Sequence, residues 1–186
     1  MKTYRKIMGA VLALLFLPSI VLAQPFGVTR FVSASPTCDT SAYATGELIG
    51  TGTTGTLTFS GALRGSSGTG YIVGVKVSDK AAQAVDFDLV IFSRNPSATT
   101  FTDQAAFDIS DTDLTKVVAV INLGSSSRFA FADNSVHYVG GLFLPVEAID
   151  ADGNVATTLY AALVSRGTPT FATGSDVTVT LEISQD

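Results

Sequence analysis

The sequence predicts an all-β chain, a single antiparallel β-sandwich or jelly-roll-like domain with one short helix. Three observations predict it. Val177, Val179, Leu181 and Ile183 alternate with Thr178, Thr180 and Glu182, the period of a strand with one buried face. Glycine-rich and Asn/Asp-rich breaks recur at short intervals, at 50–55, 65–70, 124–127, 133–135 and 152–154. No helical pattern alternates with the strands, so parallel βαβ architectures are excluded.

The elements follow in order. Residues 1–23 begin with Lys2, Arg5 and Lys6, continue as an apolar run broken by Pro18, and end Val21-Leu22-Ala23 before Gln24. That is the three-part pattern of a signal peptide cleaved near Ala23, and a run of about 15 apolar residues is short for a membrane span. Residues 24–36 read as an extended N-terminal arm, and 37–186 as the sandwich domain. Leu57, Phe59 and Leu63 share one strand parity. The loop 65–70 has phosphate-loop glycines but no Gly-Lys-Ser/Thr ending, and a strand follows it, so it reads as a plain hairpin loop. In that next strand Tyr71, Val73, Val75 and Val77 fall on one face.

Residues 85–115 are the most informative stretch. Val85, Phe87, Leu89 and Ile91 predict one buried strand face with Asp86 and Asp88 on the other, followed by a turn at Asn95-Pro96. Ser110 is placed to cap a short helix whose first turn holds Asp111 and Asp113, passing into a strand over 117–123. Residues 136–144 are nearly all apolar, which predicts a strand covered on both faces and ended or edged by Pro145. Asp152-Gly153-Asn154 predicts a tight turn, with a return strand over 157–164.

Candidate chemistry is sparse. Without residues 1–23 the chain keeps eight basic against 16 acidic residues, a net charge of −8, and the basic ones are scattered, which argues against nucleic acid. His137 is the only histidine, so a Ser-His-Asp triad would have to recruit Ser135 and Asp133, and there is no Gly-x-Ser-x-Gly elbow. A structural role for His137 is favoured. Asp86 and Asp88 could pair for glycoside hydrolysis, but charges opposite an apolar parity read first as a solvated face. Asp103, Asp108, Asp111 and Asp113 form one acidic cluster, and Asp150, Asp152 and Asn154 another. Oxygen ligands of this kind suit calcium, yet in the second cluster Gly153 falls at the fourth place and Ala161 at the twelfth, unlike the helix-loop-helix calcium loop, and capping and turn chemistry explain both clusters. No catalytic, cofactor or metal residue is assigned. Cys38 is the only cysteine, leaving an inter-chain pair or a semi-buried thiol. The 12 phenylalanines and the absence of tryptophan suit a dry core better than a sugar platform.

Five segments, DTSAYATGELIG (39–50), GYIVGV (70–75), FDLVIF (87–92) with Asn95-Pro96, FTDQAAF (101–107) and LYAALV (159–164), together resemble small structural proteins of tailed bacteriophages. Their order and spacing over 39–183 carry the resemblance. It implies a non-enzymatic virion protein, a head decoration or minor capsid protein, whose partners are protein surfaces: the major capsid protein or its own copies in a homo-oligomer. The N-terminal segment departs from that pattern, since virions assemble in the cytoplasm. Either it is retained as an arm, touching membrane only if uncleaved, or the domain is an exported periplasmic or cell-surface adhesion or ligand-binding module.

Overall fold

The computed structural model describes residues 27–50 and 55–185. The signal-peptide-like segment, residues 24–26 of the arm and most of the 50–55 loop lie outside the described residues.

Two antiparallel sheets pack face to face, the β-sandwich the sequence predicts. The first sheet runs in the order β1 (Val28–Ala34), β10 (Val177–Gln185), β4 (Thr69–Asp79), β8 (Ser135–Glu147), β7 (Arg128–Ala130). The second runs β2 (Leu48–Ile49), β9 (Leu159–Ser165), β5 (Phe87–Phe92), β6 (Val117–Leu123), with β3 (Leu57–Phe59) also paired to β9. The regular alternation of β10 puts Val177, Val179, Leu181 and Ile183 into the core between β1 and β4. Phe59, Phe87 and Phe171 fill the space between the sheets, each worth about 1.5–3 kcal/mol relative to exposure.

Several expectations are corrected. Residues 28–34 of the extended arm form β1, paired along their full length with β10 from Val28 opposite Gln185 to Ala34 opposite Val179, so the first sheet takes in strand residues that precede position 37. The 65–70 loop is no hairpin, because β3 and β4 belong to different sheets and the loop carries the chain between them. Likewise Gly153, at φ +86°, closes a turn bridged at Ile149 and Val155, but the chain then leaves the first sheet for β9 of the second. The parity of β4 fails at Val73, where a register shift between Ile72 and Gly74 puts Ile72, Val75 and Val77 inside and Tyr71 outside.

The 93–110 connection folds back over the outer face of the second sheet. Val90 and Phe92, on the parity of Asp88, are therefore buried there with Leu48, Phe101 and Ala162, and Phe107 and Ile109 pack against them. Two carboxylates hold this cover down. Asp113, from the short helix α1 (Asp111–Leu114), accepts from Ala98 N–H at 2.9 Å, Thr99 N–H at 2.6 Å and the Thr99 hydroxyl at 2.7 Å, and pairs with Lys116 Nζ at 2.6 Å. Asp103 accepts from the Tyr43 hydroxyl at 2.9 Å and Gly50 N–H at 2.8 Å. Asp113 is thus a fully buried clamp and not a surface helix charge. The Ser110 hydroxyl makes no capping bond; only its backbone carbonyl serves α1, accepting from Asp113 and Leu114.

Candidate binding surface

The residues singled out for chemistry are dispersed by the fold. Asp88 accepts from Arg166 Nε at 2.6 Å and Asn122 Nδ2 at 2.8 Å, while the Asp86 carbonyl accepts Arg166 N–H at 2.8 Å. The two residues brace the end of β9 against β5, so the expectation of a freely solvated face is corrected at Asp88. Of the first acidic cluster, Asp103 and Asp113 are occupied as described, and among the described residues no group of three or more His, Cys, Asp or Glu side chains is placed to hold a metal ion. Asp150 spends its carboxylate on its own turn, accepting from the backbone N–H groups of Asp152 at 2.9 Å and Asn154 at 2.8 Å. Those bonds, the Asn154 one first, lower its pKa.

His137 and Ser135 face the interior from β8, and Asp133 lies exposed in the preceding turn. Neither imidazole nitrogen nor the Ser135 hydroxyl has a hydrogen-bond partner, so no nucleophile–base link forms. The ring stands edge-on to Phe87, with centroids 5.2 Å apart. Burial first, then the Arg128 guanidinium, hold His137 below its ordinary value near 6.5, while the Gly124 carbonyl, near the ring but outside hydrogen-bonding geometry, Asp86 and Asp79 act the other way.

Cys38 is buried, and burial pushes its thiol up to about 12. We expect no iodoacetamide labelling of the native chain at pH 8 and full labelling in denaturant; brisk native labelling would place the thiol at the surface.

Among the described residues nothing covers the outer face of the first sheet. Read by register, Phe31 lies beside Glu182 and Gly74, Tyr71 beside Ser184 and Pro145, Lys76 beside Tyr138, and Phe129 beside Val136. Phe31 is 66% exposed, Phe129 60%, and Phe143, in the irregular pairing of β8 between Gly140 and Leu144, 77%. Here the apolar run 136–144 departs from expectation: β8 is covered on its inner side only. From Tyr138 onward β7 no longer pairs with it, which is why Pro145 is tolerated as an edge residue that lacks an N–H.

Glycines shape this face. Tyr138 lies across Gly74 and Gly140; a Cβ at Gly74 would sit 2.7 Å from the Glu182 carboxylate and 3.2 Å from the Tyr138 hydroxyl. That hydroxyl and Glu182 Oε2 are 3.2 Å apart, which fixes the ring flat on the sheet. Paired hydroxyls, Ser33 with Thr180 at 2.9 Å and Ser35 with Thr178 at 3.0 Å, border it. The result is a pleated surface on which one held ring, Tyr138, and exposed aromatic rings from Phe31 on one edge strand to Phe129 on the other stand among hydroxyls with few charges. The sequence signal for it is the nearly all-apolar run of 136–144. Phe31 and Phe129 carried no such signal, since phenylalanine alone reads as core.

Compared with known proteins, the chain matches no family model, no curated protein and no solved structure.

Proposed function

We propose that this chain is a non-enzymatic virion structural protein, a head decoration or minor capsid protein that docks on capsid subunits through the outer face of its first sheet. One observation carries the reading. The 93–110 segment covers the β2, β9 and β5 part of the second sheet's outer face, leaving Val120 of β6 exposed, whereas Phe31, Tyr71, Phe129, Tyr138 and Phe143 stand exposed on or beside the outer face of the first sheet. Isolated exposed apolar residues need no explanation, but several aromatic rings on one sheet mark a surface that is buried in an assembly. The resemblance to phage structural proteins supplies the partner. An immobile sandwich would act there by adding buried area between neighbouring subunits, with avidity if several copies bind together.

Co-sedimentation with intact heads tests this. The wild-type chain should travel with heads, and Phe31→Ser combined with Phe129→Ser should weaken binding by roughly 2 kcal/mol per ring, about thirtyfold each. A native chain that begins at Gln24, accumulates outside the cytoplasm and does not sediment with heads would overturn the reading in favour of an exported adhesion or ligand-binding module.

A further inference from the structure

Of the open strand edges in the two sheets, that of β1 is the least defended. An edge strand offers unpaired backbone N–H and C=O groups to any other strand, and natural sheets blunt such edges with short strands, bulges, proline or charge. β2, β3 and β7 are only two or three residues long. β6 is bulged, because Ala119 pairs with Ile91 and Val117 with Phe92, leaving Val118 over. β8, beyond its pairing with β7, carries Gly140, Gly141 and Pro145. The seven residues of β1 pair with β10 without a register shift, and among the described residues no strand pairs with the other side of β1. Val28, Thr29, Arg30, Phe31 and Ser33 are exposed. The one charge is drawn aside, since the Arg30 guanidinium lies over Gly61 in the turn after β3, 3.3 Å from where a Cβ there would stand.

The order of residues in β1, VTRFVSA, decides what fits that edge. Positions 29, 31 and 33 share the outer face and 28, 30, 32 and 34 the inner one, so a strand that continues both faces must pair odd positions with odd. A second copy of β1, antiparallel about a two-fold axis at Phe31, pairs all seven residues: Phe31 with its own copy, Thr29 with Ser33, Val28 with Ala34 and Arg30 with Val32. Aromatic opposite aromatic and hydroxyl opposite hydroxyl are favourable cross-strand pairs, and Ser33 already makes one with Thr180 of β10 at 2.9 Å. Sliding the copy by two residues one way sets Arg30 opposite Arg30 and keeps only 28–32. Sliding it the other way sets Phe31 opposite Ser33 and keeps only 30–34. Charge and length therefore select the centred register, in which the two Arg30 side chains fall on a diagonal, each drawn to its own Gly61.

We propose that two copies of this chain associate through β1 in this register, joining their five-stranded first sheets into one continuous sheet. The two-fold axis stands perpendicular to that sheet, so both aromatic outer faces lie side by side on the same side of the dimer. The proposal goes beyond the docking reading and does not rest on it, since the association belongs to the free chain.

Sedimentation velocity of the full chain over a concentration series tests it, with charges placed across the Thr29–Ser33 pairs. The wild type should pass from monomer to dimer as concentration rises. Thr29→Lys with Ser33→Lys sets like charges opposite each other twice in each dimer and should weaken association about tenfold or more. Thr29→Lys with Ser33→Glu alters the same two exposed positions but sets opposite charges across each pair, and should restore association to within about threefold of wild type. Phe129→Ser, on the far edge strand, should weaken docking on heads and leave the dimer unchanged, so the two readings fail separately. A chain that stays monomeric throughout, or an association that treats the two double variants alike, would overturn the proposal.

Discussion

Replacing Asp113 by alanine is expected to destabilise the chain by about 3–5 kcal/mol, a fall in Tm of roughly 10 °C. The substitution strands the Ala98 and Thr99 N–H groups and the Thr99 hydroxyl around a buried position, and it removes the ion-pair partner of Lys116. The damage should begin in the 93–110 cover, exposing Phe92 and Phe101, so dye binding and proteolysis there should precede global unfolding. Burial alone would raise the pKa of Asp113, but the Lys116 and Thr99 contacts outweigh it and hold the carboxyl below its ordinary 3.8. A depressed carboxylate stabilises the fold above its unfolded pKa. That contribution is present above pH 3.8, is lost as pH falls through the folded value, and should be missing in Asp113→Ala. A change in Tm smaller than about 2 °C would show that the clamp does not hold the cover.

Replacing His137 by leucine should have the opposite sign. The wild-type ring is fully buried with both nitrogens unpartnered, so an apolar side chain of similar size should stabilise by about 1–2 kcal/mol at pH 7.5. The gap should widen in acid. Because the folded pKa lies below 6.5, the unfolded chain takes up the proton first, and the stability of the wild type falls as pH drops below 6.5 towards the folded value. Arg128, opposite His137 on β7, makes the protonated ring worse placed. Asp79, whose carboxyl burial pushes upward, contributes with the other sign, so the readout is the difference between wild type and variant at pH 7.5 and pH 5. A variant less stable than wild type would mean that the imidazole has a bonding role.

Local alternation made much of this fold legible. β10, β5 and the Asp152-Gly153 turn follow from residue spacing, because strand parity and positive-φ preference are properties of the chain itself. What failed depended on distant partners. The bulge at Val73 reverses which residues of β4 face inward, and β1 exists only because β10 offers it an edge. Asp113 looked like a helix-end charge until the 93–110 segment folded over it. Of the candidate surface, the apolar run of 136–144 is visible in the sequence, where it predicts cover on both sides and so conceals the exposed face. A strand that expects a second cover, with none among the described residues, is the physical basis for the docking face proposed above.

The most direct test of that face is amide hydrogen exchange on the free chain and on the chain bound to intact heads. Slowed exchange over β1, β4 and β8 on binding, with the 93–110 cover unchanged, is the predicted result. Protection concentrated on the 93–110 cover, with β1 and β8 exchanging as in the free chain, would contradict it.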